Sequence, residues 1–171
     1  AKKFAKELSM YGLVIISGMA NGIDSYAHLG ALDGSKKTIA VLPSSIDEIV
    51  PLSNKKLAAQ ILQTGGLIIS EYEPRMTIAN WHFVKRNRII AGLSFATVVV
   101  EAPAGSGALI TVDFALENGR DVYFHKVCFS DNAKQIASIV KNQLETDFNN
   151  GKVSKYKKEN TVEKYLEAGA P

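Results

Sequence analysis

A single cysteine, Cys128, stands in a chain of 171 residues, so neither an internal disulfide nor a four-cysteine zinc site can form. A lone thiol fits a reducing compartment, and a cytoplasmic location is expected. No apolar run approaches the roughly 18 residues of a membrane-spanning helix. Ala1-Lys2-Lys3-Phe4 lacks the apolar core of a secretion signal, so no membrane partner is expected. An excess of one charge is missing too: 20 Lys and Arg against 17 Asp and Glu leave only +3. Net charge therefore does not name nucleic acid as a partner; the placement of charge must do so.

Catalytic sets are equally scarce. Asp24 and His28 share a helical face, but no third ligand accompanies them, and no metal is expected. Asp24 reads as a helix N-terminal cap and His28 as its structural neighbour. Cys128 near His125 reads as packing beside a loop, and no Ser/His/Asp triad is indicated. Gly105-Ser106-Gly107 has Ile110 where a dinucleotide fingerprint requires its third glycine. No cofactor, no catalytic residue and no enzymatic activity follow from these motifs; the pattern is that of a binder.

What the chain does contain is alternation. Short β-branched runs recur at Leu13–Ile16, Thr38–Leu42, Leu67–Ile69, Thr97–Val100 and Val122–Phe124. They are continuous rather than period-two, as strands covered on both faces are. Helical periodicity fills Ile23–Leu32, Asn54–Gln63, Val84–Leu93 and Leu109–Glu117, with a further helix at Ala1–Met10. Gly12, Gly34, Gly65-Gly66 and Gly119 follow helices, where a left-handed cap is expected. The expectation is a single doubly wound α/β domain with a mostly parallel sheet. Its core covers 1–129, followed by a polar insertion at about 130–160, within which Lys152–Glu159 reads as solvated and mobile, and a return at 161–171. Opening on a helix is unusual for this class and implies a strand upstream of Ala1.

In such sheets ligands gather at the carboxyl ends of the strands. Ser17-Gly18-Met19-Ala20-Asn21-Gly22 follows the first run and feeds a helix, leaving amides at a positive dipole end. Glu101-Ala102-Pro103-Ala104-Gly105-Ser106-Gly107 repeats the design after the fourth run, with a hydroxyl at Ser106. Glycines also serve plain strand-to-helix turns, but two such loops at one edge favour an anion site. Between Pro74 and Val100 there is no acidic residue, whereas Arg75, Lys85, Arg86 and Arg88 are interleaved with Trp81, His82 and Phe83. Guanidinium forks hold phosphates and exposed rings stack on bases. The plainer alternative makes Trp81 and Phe83 core residues and pairs the arginines with Glu71, Glu73 and Glu101.

Ser17 to Asp24, Ala27-His28, Gly30-Ala31-Leu32, Leu67 to Glu71, Phe83 with Arg86-Asn87-Arg88-Ile89-Ile90-Ala91-Gly92-Leu93-Ser94, and Gly105 to Thr111 together resemble the DprA/Smf family (DNA-processing protein A). The likeness covers about 1–125 and resumes at Thr161. It implies an extended Rossmann-like domain that binds single-stranded DNA and works as a homodimer. It also implies a role in natural transformation, protecting incoming DNA and loading the RecA recombinase. The site it implies comprises Ser17, Gly18, Asn21, Gly22, Phe83, Lys85, Arg86, Arg88, Gly105, Ser106 and Gly107.

Three departures accompany the likeness. The family's first strand and its Gly-x-Arg loop would precede Ala1, Asn21 stands where arginine is frequent, and the segment at 130–160 is longer than usual. No flanking winged-helix domain is present in the sequence. The alternative is a phosphoribohydrolase resembling the cytokinin-activating LOG enzymes, or a nucleotide-binding sensor. Aligned on Pro103, however, Thr111 falls where those hydrolases carry their glutamate.

Overall fold

The structure, a computed structural model, describes residues 1–34 and 37–169. Two compact units divide the chain, Ala1–Leu93 and Ser94–Pro171. The first unit runs α1 (Lys2–Met10), β1 (Ile15–Ser17), α2 (Ile23–Asp33), β2 (Thr38–Val41), α3 (Lys55–Gln63), β3 (Leu67–Ile69), α4 (Asn80–Lys85) and α5 (Asn87–Leu93). Its three strands form a parallel sheet in the order β1-β2-β3, with Ile15 opposite Thr38 and Ala40 opposite Ile68. Ala40, Leu42 and Ile68 bury their side chains with Leu57, Ala58 and Ile61 from α3 and with Met19 from the loop after β1. Burying these apolar groups is what holds the sheet to α3.

Glycine explains why the opening helix packs as it does. A Cβ on Gly30 would run into the Lys2 carbonyl and lie 2.9 Å from the Ala5 side chain. Gly34 likewise has the Lys6 carbonyl 2.9 Å from where its Cβ would be. Helix α1 therefore lies directly on α2, and the Ser9 hydroxyl donates to the Ala31 carbonyl at 3.3 Å. Gly12, Gly65 and Gly119 have the expected positive φ, but Gly66 and Gly34 do not, the latter with φ at −99°. Its lack of a side chain serves the close approach of α1 rather than a left-handed cap.

The second unit pairs β4 (Ala96–Val99) with β5 (Asp121–Phe124) in parallel, joined through α6 (Gly107–Glu117). Leu109, Val112 and Ala115 give α6 its buried stripe. Then follow α7 (Asp131–Asn149), α8 (Lys155–Glu159) and α9 (Val162–Glu167). The five strands among the described residues fall on the runs read from the sequence, and the architecture is Rossmann-like α/β.

Two expectations change. The helix expected over Val84–Leu93 begins at Asn80 and breaks at Arg86, where the Ile89 amide turns to the Arg86 carbonyl three residues back. The segment expected as a polar insertion, with no helix assigned to it, is largely helical. Ser130 caps α7 by accepting from the Ala133 amide, and Ser154 caps α8 by accepting from the Lys157 amide. Of the expected return at 161–171, residues 170–171 lie outside the described residues.

Candidate functional site

The loop from Gly18 to Gly22 leaves β1 at its carboxyl end and enters α2. Met19 is wholly buried with φ at +62°, a conformation that costs a branched or bulky residue of the order of 1–2 kcal/mol. The surroundings enforce it. Asn54 Nδ2 donates to the Met19 carbonyl at 2.7 Å, and the side chain sits in the core of the first unit. Asp24, one residue into α2, closes the loop from the other side. Its carboxylate accepts from the Ser17 hydroxyl at 2.9 Å and from the Ala20 amide at 3.2 Å.

Arg86 completes this framework. It is only 4% exposed. Nη1 donates to the carbonyls of Gly18 and Val41, Nε donates to Asn87 Oδ1 at 2.9 Å, and Nη2 lies 3.8 Å from Asp24 Oδ2. Burial lowers its pKa from the ordinary guanidinium value, and Asp24 opposes that shift. Arg86 is therefore not an outward fork for phosphate, as its sequence context suggested. A cation desolvated this fully is stable only with its donors satisfied, and here backbone carbonyls and a carboxylate satisfy them. Gly18 is correspondingly buried, and a Cβ there would overlap the Arg86 guanidinium. Ser17, Gly18 and Arg86 shape the loop from within.

Asn21 and Gly22 face outward. Their amides find no acceptor among the described residues, and they stand at the positive end of α2. The Ser53 hydroxyl donates to Asn21 Oδ1 at 2.9 Å, which leaves the Asn21 NH2 as the group directed away from that contact. Gly22, at φ +91° and ψ −124°, adopts a conformation that only glycine takes readily.

Lys85 and Arg88 gather on one acidic residue. Arg88 Nη2 is ion-paired with Glu71, and Lys85 Nζ lies 3.9 Å from the same carboxylate. Pairing with Glu71 is thus realised for Lys85 and Arg88, while Glu73 has no ion pair among the described residues. The two cations stay about half-exposed, with net positive charge on this face.

The two aromatic residues of this stretch differ in exposure. Phe83 is half-buried without a ring contact among the described residues, whereas Trp81 is 55% exposed with Lys85 Nζ 5.5 Å from its ring centre. Trp81 is therefore no core residue. Its lone occurrence in an acid-free stretch was the available signal.

The second glycine loop lies in the other unit, and there the Gly105 and Ser106 amides are already engaged. The Gly105 amide donates to the Asn160 carbonyl at 2.7 Å, the Ser106 amide to the Pro103 carbonyl at 3.0 Å, and Ser106 Oγ accepts from the Ala108 amide at 3.2 Å. A Cβ on Gly105 would come within 2.9 Å of the Lys157 carbonyl and 3.3 Å of Leu144. Gly107, the first residue of α6, is exposed. The segment 144–160 covers Gly105, so the cradle expected there is closed on that side.

Other candidates are structural. The Thr38 hydroxyl donates to the Ile15 carbonyl at 2.6 Å and therefore accepts from His28 Nδ1 at 2.8 Å, which fixes the proton on Nδ1. His28 Nε2 is buried without a hydrogen-bond partner among the described residues, and burial pushes the imidazole pKa down to about 4. Cys128 Sγ lies 3.2 Å from the Val100 carbonyl, and burial raises its pKa. No group of metal-binding side chains occurs among the described residues.

A glycine turn at the carboxyl end of a parallel strand, opening into a helix, is the anion-facing arrangement of Rossmann-like α/β proteins. Within that class the family can be named. The profile of the DNA recombination-mediator protein A family matches residues 1–155, and the chain belongs to that family. Protein Smf of Borreliella burgdorferi is 40% identical over 146 residues, covering 85% of this chain and 46% of that protein. The crystal structure of DNA processing protein A from Streptococcus pneumoniae superposes with a TM-score of 0.65 at 44% identity, over 72% of this chain and 43% of that one. A structure of DNA processing protein A from Helicobacter pylori, described for its single-stranded DNA binding mode, superposes with a TM-score of 0.66 at 29% identity. That match covers 85% of this chain and 71% of the other. The chain spans less than half the length of the Borreliella relative.

Proposed function

We propose that this chain binds single-stranded DNA without catalysing a reaction on it. The likeness to the Helicobacter pylori protein, described for binding single-stranded DNA, carries this reading. The first unit supplies matching chemistry. The Asn21 and Gly22 amides suit a phosphate, Lys85 and Arg88 supply exposed cations, and Trp81 supplies an exposed ring. Thr111 in place of a glutamate supports binding over phosphoribohydrolase chemistry.

The DprA/Smf resemblance extends the proposal to homodimer formation, hand-over of the strand to RecA, and a place in natural transformation, all within the cytoplasm. No helix among the described residues is long and apolar enough to cross a membrane.

Gel shift of a labelled oligo-dT across a salt series tests the binding. Single strands should bind in preference to duplex, with a log–log slope of roughly −3 to −4 if four to six phosphates are neutralised. Absence of any shift at low salt would refute the reading. Release of free base from AMP would restore the hydrolase alternative.

A further inference from the structure

A cleft of about 550 Å³ lies between the loop after β3 and α4, and neither the loop amides nor the buried Arg86 accounts for it. Glu71, Tyr72, Glu73, Arg75 and Met76 line it from the loop, and Trp81 and Lys85 from the helix. Its volume is in the range of small-ligand sites, roughly 300–1,000 Å³.

The aromatic residues are arranged in series. Tyr72 is buried and stacks on His82 with ring centres 4.2 Å apart at 24°. His82, also buried, meets Trp81 edge-on at 4.1 Å and 85°. A fixed pair thus supports the indole while more than half of it remains in solvent. Exposing so much of a tryptophan forgoes burial that would stabilise the fold by about 25 cal/mol per Å². Met76, also exposed, adds a soft apolar surface.

Charge narrows the choice of occupant. The two carboxylates of Glu71 and Glu73 make the cleft a poor site for a bare anion. Lys85 and Arg75 nevertheless line the same cleft, where they can neutralise an anion attached to a neutral ring. A flat aromatic ring joined to phosphate meets both conditions.

We propose that this cleft takes one nucleobase of a bound single strand, stacked on Trp81, with an adjoining phosphate held by Lys85 and Arg75. The assignment rests on the reading of the chain as a single-strand binder, and it adds Trp81 to the residues expected to meet the strand. Because Trp81 is the sole tryptophan, its emission reports on the cleft alone.

The test titrates the full chain with a short deoxycytidine oligonucleotide and with an abasic strand of equal length and charge, following tryptophan emission and gel shift together. The base-bearing strand should quench emission with the same midpoint as the gel shift. The abasic strand should bind roughly tenfold more weakly and leave emission unchanged. Trp81→Ala should bring the affinity for the base-bearing strand down to near that for the abasic strand, and Trp81→Phe should restore most of the difference. A gel shift with unaltered emission, or a Trp81→Ala protein that still separates the two strands tenfold, overturns the inference while leaving DNA binding in place. An aromatic peptide that quenches emission when the DNA does not would make the cleft a protein-docking site and overturn it as well. Failure of every strand to bind overturns the underlying reading itself.

Discussion

Arg86 reaches back across 68 positions to donate from Nη1 to the carbonyl of Gly18. The missing side chain of Gly18 and the guanidinium of Arg86 occupy the same space, so each residue explains the other. Through this contact the break between α4 and α5 sets the shape of the loop that opens α2. The Arg-Asn-Arg-Ile-Ile block therefore contains two arginines of opposite character, one in the interior and one at the surface.

Arg86→Ala is expected to destabilise the protein by about 3–5 kcal/mol, because Asp24 and two backbone carbonyls lose their buried partner. Gly18→Ala forces a methyl group into the guanidinium and should cost about 2–3 kcal/mol. Urea unfolding of each variant measures both. Arg86→Ala with wild-type stability would show that the guanidinium is not held as described.

Lys85→Ala and Arg88→Ala should behave in the opposite way. Both side chains are about half-exposed, and their pairing with Glu71 contributes within about 1 kcal/mol. Stability should hardly move, while the salt slope for single strands should fall by about 0.7 for each phosphate that is no longer neutralised. Equal slopes in variant and parent would remove these residues from the interface.

His28 predicts an acid limb. Above about pH 6.5 the imidazole is neutral in both folded and unfolded chains. Below it the unfolded chain takes up a proton that the folded site refuses until about pH 4. Stability should therefore fall by about 3 kcal/mol across that window and level off beneath it as far as this group is concerned. His28→Asn, which keeps a donor toward Thr38, should show a flatter profile between pH 6.5 and 4 in denaturant titrations at stepped pH. An unchanged profile would place the titration elsewhere.

Tyr165 ties the C-terminal return to α6. Its hydroxyl lies 2.8 Å from Asp113 Oδ1, 2.6 Å from Asn160 Oδ1 and 3.2 Å from the Leu109 carbonyl. Asp113 also accepts from the Tyr156 hydroxyl. Burial, followed by Asp113, raises both phenol pKa values, that of Tyr156 to about 12. Tyr165→Phe should cost about 1–3 kcal/mol. It should also speed hydrogen exchange at the Gly105 amide, whose acceptor is the Asn160 carbonyl. Retained protection at Gly105 would show that the cover does not depend on this hydroxyl.

The strands could be read because each is a short β-branched run bounded by glycine or polar residues, and that signal is local. Helix α7 is less legible, although its signals are present. Ser130 offers a cap, and Ile136, Val140, Leu144 and Phe148 recur at intervals of four. The abundance of Lys, Asn and Gln around them masked the stripe.

Among the site residues, the sequence marked the glycine turn and the cationic block, since composition and spacing suffice to find both. Direction was beyond it. Arg86 sits at the break between α4 and α5 and is buried, whereas Arg88, in the first turn of α5, is about half-exposed. The sequence alone determined the strand–helix alternation and the family, because those depend on residue type and local periodicity. Only the tertiary structure decided which arginine is buried, which aromatic residue is exposed and which glycine loop is covered. Each of those depends on groups distant in the chain competing for the same space.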